Sequence, residues 1–160
     1  MKSALIAAVL FFSLQANAKL AGGFFVGDPT SLTFKFWQNS EIAYDGGIAF
    51  AVSDYFLFYG DYLIHYPRMI AKTNKLFSKT EFYFGVGGVA AVTTKDRSRK
   101  DRVYGKKSGS FGMGVRVPIG IEWRPTEPPI GVYIEIAPGI SIFPSTDAFA
   151  QGGVGIRYYF

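Results

Sequence analysis

From Leu20 to the end of the chain, apolar positions alternate with small or polar ones, the period expected of strands whose successive side chains face opposite sides. The alternation is plainest in the second half. Over residues 110–124, Phe111, Met113, Val115, Val117, Ile119, Ile121 and Trp123 share one face, against Gly112, Gly114, Arg116, Pro118, Gly120 and Glu122. Over 131–143, Val132, Ile134, Ile136, Ile140 and Ile142 oppose Tyr133, Glu135, Ala137, Gly139 and Ser141. The last stretch sets Val154, Ile156 and Tyr158 against Gly153, Gly155, Arg157 and Tyr159, and stops at Phe160. Earlier, Phe56, Phe58, Tyr62 and Ile64 oppose Tyr59, Asp61, Leu63 and His65. Only Gly22-Gly-Phe-Phe-Val26 leaves its two faces undeclared.

The pattern predicts eight strands, over 20–26, 31–37, 44–52, 55–66, 80–93, 110–124, 131–143 and 148–160. Gly, Pro, Asp and Asn punctuate most of the connections between them, as at Gly27-Asp-Pro-Thr30 and in the Pro-rich 125–129 segment. Eight is an even number and the smallest common size for an up-and-down barrel. Alternation alone does not say which face is outside, because a soluble ligand-carrying barrel has the same period with its apolar side chains inward. The second face decides between them. From the fifth strand onward it holds only Glu81, Arg116, Glu122, Glu135 and Arg157 among Gly, Ala and Tyr, which is too few charges for a wall in water and suits a packed lumen. The expected fold is therefore all-β: an eight-stranded antiparallel up-and-down transmembrane β-barrel, its glycines leaving room for Tyr and Arg side chains in a narrow tube.

Composition agrees with that orientation. With 16 Phe, 10 Tyr, 2 Trp and 19 Gly the chain is too apolar for disorder, and having no cysteine it is not a disulfide-stapled exported fold. Trp37, Tyr44, Phe56, Tyr66, Phe82, Phe111, Trp123, Phe143 and Phe160 fall near strand ends, where aromatic girdles would meet the two membrane boundaries. The start of the chain names a compartment. Met1-Lys2, an apolar run from Ala4 to Leu14 and the Ala16-Asn17-Ala18 site read as a signal peptide, residues 1–18, cleaved after Ala18 to leave a barrel of residues 19–160. The expected location is the bacterial outer membrane.

Two constellations carry charge. The inward face collects Lys35, Arg116 and Arg157 with Asp45, Asp61, Glu81, Glu122 and Glu135, with His65 nearer a mouth. An isolated buried charge is costly, so Arg116 and Arg157 are expected to bridge several carboxylates in a network that stiffens the tube. A water-filled pore is disfavoured, because eight strands leave no clear channel. The second constellation is a basic loop, Lys95, Arg97, Arg99, Lys100, Arg102, Lys106 and Lys107, interrupted only by Asp96 and Asp101 among the acidic residues. With both termini in the periplasm it would lie outside the cell, where it is either a solvated loop or a contact for lipopolysaccharide phosphates or an acidic surface or host polymer. Nucleic acid is not expected, since Tyr104 is the one aromatic among these cations. The same topology makes 67–79 an unusually long periplasmic connection, unless it packs beneath the barrel through Met69, Ile70, Leu76 and Phe77.

These features together resemble the small OmpA/OmpX-like family of eight-stranded outer-membrane barrels, through Gly27-Asp-Pro-Thr30, Phe36-Trp37, Gly114-Val-Arg-Val-Pro-Ile-Gly120, Ile136-Ala-Pro-Gly139 and Gly155 to Phe160. The resemblance implies insertion by the outer-membrane assembly machinery, which would read the last strand through Val154, Ile156, Tyr158 and Phe160. It leaves activity open, since the fold hosts adhesins, anchors and lipid-modifying enzymes. The favoured reading is a monomeric structural or surface-interaction barrel, not an enzyme. The alternative is a barrel that deacylates or transfers acyl chains on lipid A, with a secreted soluble barrel carrying an apolar ligand as the outsider. Signals for the enzyme are thin: His65 and Asp61 share a strand face, but His65 falls on the periplasmic side and no His-x-Ser pair exists. No cofactor or metal site is expected with one His and no Cys, and Gly85-Val-Gly-Gly88 lies within a strand, where it cannot cradle phosphate.

Overall fold

The computed structural model describes residues 20–51, 55–66, 79–93, 111–125 and 127–160. The expected signal peptide, the basic loop and most of the long 67–79 connection lie outside these residues. Nine strand segments run β1 (Leu20–Asp28), β2 (Ser31–Trp37), β3 (Ile42–Ala51), β4 (Tyr55–Tyr66), β5 (Thr80–Thr93), β6 (Phe111–Arg116), β7 (Ile119–Trp123), β8 (Ile130–Phe143) and β9 (Ala148–Tyr159). Every neighbouring pair is antiparallel, and β1 pairs with both β2 and β9, so the sheet closes on itself.

Nine segments make eight staves, because β6 and β7 both lie between β5 and β8. Pro118 supplies the interruption. It has no N–H to offer the ladder, yet its carbonyl accepts from Gly85 N at 2.9 Å and the Val117 N–H reaches Pro138 O at 2.8 Å. The stave is thus continuous in hydrogen bonding, and its parity carries through from Phe111 to Trp123. A register shift at Met113/Gly114 against β8 bends the same stave near its other end. Closure reaches the final residue, whose N–H donates to Leu20 O at 2.9 Å. Asn39 shapes one tight connection by accepting from the N–H groups of Glu41 (2.9 Å) and Ile42 (2.8 Å).

The two faces are separated as sharply as the period allows. Outward stand Phe24, Phe34, Phe58, Val86, Val115, Ile134, Ile136, Val154 and Ile156, all exposed. Inward and buried lie Lys35, Asp45, Asp61, Arg116, Glu122, Glu135 and Arg157. Strand β1, whose pattern is silent, puts Ala21 and Phe25 inside and Phe24 and Val26 outside. Trp37 corrects the girdle expectation: it is 4% exposed and lies within the tube. Its parity with Lys35 on β2 settles the side it takes, and nearness to a strand end does not. Phe82 is only half-buried.

Inside, bulky side chains lie over glycines directly across the ladder. Tyr59 faces Gly47, Tyr83 faces Gly120, Tyr133 faces Gly155 and Phe149 faces Gly139. At each of these glycines a Cβ would meet the ring opposite. The aromatic ring thereby covers backbone that a glycine leaves bare, and the pair fills a space too narrow for two ordinary side chains. We expect Gly155→Val to cost about 1–3 kcal/mol through overpacking against Tyr133, and Tyr133→Leu to recover part of that loss in the double variant. Equilibrium unfolding in urea checks both; an additive pair of losses would refute the socket.

Candidate functional site

The tube interior is a ladder of ion pairs, built by strands far apart in sequence. At the end that carries the chain termini, Arg124 donates from Nη2 to Glu81 Oε1 at 2.8 Å, and its guanidinium lies 4.3 Å from the centre of the Trp37 ring. His65 is wedged between the rings of Trp37 (4.3 Å) and Tyr83 (5.0 Å). Its Nδ1 is 3.4 Å from Glu81 Oε2, without the alignment of a hydrogen bond.

One rung further in, Lys35 Nζ reaches Glu122 Oε2 at 2.5 Å and lies over the rings of Trp37 and Tyr83. Tyr159 donates its hydroxyl to the other oxygen of the Glu122 carboxylate. Arg157 pairs with Asp45, donates from Nε to Thr33 Oγ1 at 3.3 Å, and stacks 3.8 Å from the Tyr133 ring centre. Arg116 holds Asp61 in a two-point grip, Nε to Oδ1 at 2.9 Å and Nη2 to Oδ2 at 2.5 Å. It also donates to Gln151 Oε1 at 2.9 Å and approaches Glu135 Oε1 at 3.4 Å. Tyr83 completes the set with a 2.8 Å hydrogen bond to Glu135 Oε2. Above Arg116 the lumen turns apolar, with Ala49, Leu57, Val89 and Ala91 buried against Tyr59 and Phe149.

All eight residues singled out for the lumen, Lys35, Asp45, Asp61, Glu81, Arg116, Glu122, Glu135 and Arg157, thus face inward, and each touches an oppositely charged group. Arg116 spans two carboxylates, Asp61 and Glu135, whereas Arg157, expected to bridge several, pairs among the described residues with Asp45 alone. Sequence reasoning missed Arg124, which adds a fourth cation to the set. Its parity with Glu122 was the available signal, overlooked because Arg124 sits at a strand end. The upper apolar layer was also missed, though Leu57, Val89 and Ala91 share the parity of Asp61 and Glu81. His65 and Asp61 have separate partners, the one against Glu81 and two rings, the other in the grip of Arg116. Among the described residues, no group of three or more potential metal ligands converges. Val154, Ile156, Tyr158 and Phe160 line the outer face of the last stave.

The barrel is similar to the N-terminal β-barrel domain of Pseudomonas aeruginosa OprF, with a TM-score of 0.60 and 12% identity over 88% of this chain and 95% of that one. It also aligns with Neisserial surface protein A (NspA), with a TM-score of 0.44 and 12% identity over 88% of this chain and 93% of that one. At such identity the OprF likeness is one of fold: a closed barrel of the outer-membrane kind. Curated proteins offer no sequence match. The family described as "Protein of unknown function (DUF3996)" matches residues 12–160.

Removing one partner of an enclosed pair leaves the other charge without compensation. Arg116→Ala and Asp61→Ala should therefore each cost about 3–5 kcal/mol of stability, and the double variant should cost well below the sum. A double-mutant cycle by urea unfolding measures this coupling; a sum with no coupling would contradict the grip described for Arg116.

Proposed function

This chain belongs to the DUF3996 family, and we propose that it is a small integral outer-membrane β-barrel with a structural or surface-interaction role, its lumen closed by packed ion pairs. The observation that carries the proposal is the inversion of polarity between the two faces of the sheet. Lys35, Glu122 and Arg157 are at most 1% exposed while Val154 and Ile156 are about half exposed. In water this arrangement would waste apolar burial on the outside and desolvate charge on the inside. In hydrocarbon the same arrangement is the stable one, because a closed sheet leaves no backbone edge unpaired.

The interior supports a stiffening role. Each enclosed cation is held by a carboxylate, by stacked rings or by both, so little freedom is left for an ion to pass. Interaction with the surroundings then falls to the wall and the connections. On this reading the chain is exported by its 1–18 signal peptide and acts as a monomer without cofactor. The assembly machinery would read Val154, Ile156, Tyr158 and Phe160, whose side chains stand on the outer face of the last stave. The loop with Lys95, Arg97, Arg99, Lys100, Arg102, Lys106 and Lys107 would reach lipid-A-type phosphates or an acidic polymer outside the cell. Catalysis on lipid A draws no support from His65, whose ring is enclosed between Trp37 and Tyr83.

The chain from residue 19 should fold into lipid vesicles and show a heat-modifiable gel shift. Val154→Arg, placed near mid-height of the wall, should lower its stability there by about 2–4 kcal/mol. A chain that folds as a soluble monomer without detergent or lipid would defeat the proposal. Cell-surface protease cutting at the basic loop tests the orientation, and absence of cutting in intact cells with cutting in lysed ones would reverse it.

A further inference from the structure

The enclosed charges do not come out even. Among the described residues the lumen holds Lys35, Arg116, Arg124 and Arg157, and each is closely paired with one carboxylate, in turn Glu122, Asp61, Glu81 and Asp45. The remaining carboxyl group is that of Glu135. The cation that approaches it is Arg116, whose Nη2 lies 3.4 Å from Glu135 Oε1 but already donates to Asp61 Oδ2 at 2.5 Å. His65 could add a positive charge, but it lies against Glu81 and meets Tyr83 by its ring, whereas Glu135 meets the Tyr83 hydroxyl.

The surroundings of Glu135 offer an ionised group little else. Directly across the ladder on its two sides stand glycines, Gly120 and Gly153, and the rings of Tyr83 and Phe25 crowd over them. Its inward neighbours along β8 are Tyr133 and Ala137, both buried. On β9 the inward Arg157 is taken by Asp45, and on β7 the inward Glu122 is taken by Lys35. Asp45 of β3 and Asp61 of β4 lie near enough to repel a charge on Glu135, which is itself 6% exposed. Its short hydrogen bond is with the Tyr83 hydroxyl, 2.8 Å from Oε2, and a hydroxyl can donate to a carboxylate or accept from a carboxylic acid. A carboxylate shut away from water beside like charges is costly, and the usual resolution is to take up a proton.

We propose that Glu135 is the proton-binding site of the lumen: the folded barrel encloses it as a neutral carboxylic acid at neutral pH, which leaves one carboxylate for each cation. Loss of that proton sets Glu135 and Asp61 in competition for the Arg116 guanidinium, which makes this rung of the ladder sensitive to pH. The inference goes beyond the structural role given above and depends only on the lumen being enclosed.

Infrared spectroscopy of the barrel folded in lipid vesicles tests the assignment, because the carbonyl stretch of a protonated carboxyl group is separate from the bands of a carboxylate. Near neutral pH the unmodified barrel should show a protonated carboxyl that Glu135→Gln lacks. Urea unfolding supplies a second reading. In the unfolded chain Glu135 is ionised above about pH 5, so the folded barrel binds one proton more than the unfolded chain and folding weakens as pH rises. The amide of Glu135→Gln does not titrate. The ratio of its folding constant to that of the unmodified chain should therefore rise about ten-fold per pH unit between about pH 5 and about pH 7. His65 and the other titrating groups are common to both chains and cancel in that ratio. Glu122→Gln, which leaves Lys35 without a carboxylate, should instead lower the folding constant about a hundred-fold or more. Absence of a protonated carboxyl from the unmodified barrel near neutral pH, its persistence in Glu135→Gln, a ratio unmoved by pH, or equal losses in the two Gln variants would each overturn the proposal.

Discussion

A charge enclosed by a closed sheet has no water to turn to, so the interior of this barrel stands or falls on each cation finding a carboxylate across the lumen. Arg116 meets Asp61, Arg157 meets Asp45, Lys35 meets Glu122, and Arg124 meets Glu81. In the first three pairs the partners come from staves that are not neighbours, so they meet only as the sheet closes, whereas Arg124 and Glu81 belong to the neighbouring β7 and β5 staves. Burial of charge is costly, and breaking one member of such a pair costs more than the pair contributes. The network is therefore better regarded as a device that specifies one closed arrangement than as a large source of stability.

Aromatic rings and glycines supply the space that this arrangement needs. Tyr59, Tyr83 and Tyr133 each lie over a glycine directly opposite, and the same rings receive the cations: Arg116 over Tyr59, Lys35 over Tyr83 and Arg157 over Tyr133. One side chain thus fills the socket across the ladder and presents its face to a neighbouring charge. Packing and electrostatics are joined at the same residues, which ties strand register to ion pairing. A slip of one residue would turn every inward charge toward the outer face and every outward aliphatic inward.

The outer wall follows a simpler rule. Its side chains need only be apolar, and the chain uses Ile, Val, Met and aromatic rings there without a fixed partner for each. The wall tolerates variety where the lumen does not, because hydrocarbon accommodates shape while an enclosed charge demands a partner.

The alternation of residues 110–124, 131–143 and 153–159 was enough to read those strands, their two faces and the inward position of Arg116, Glu122, Glu135 and Arg157, since side-chain direction in a strand is a local property with a period of two. The same rule applied strictly would have placed Trp37 and Arg124 inside; position at a strand end was the weaker guide. Which cation meets which carboxylate was not legible. Arg157 and Asp45 are 112 residues apart, and Lys35 and Glu122 are 87, so their meeting depends on the stagger with which the sheet closes. Periodicity carried one stave across Pro118 over 110–124, but not the hydrogen bonds that hold it there, because those depend on a carbonyl and an N–H finding partners on adjacent strands. Facing is decided within a strand by the backbone, whereas partnership is decided across the lumen by closure, and only the folded tube contains that information.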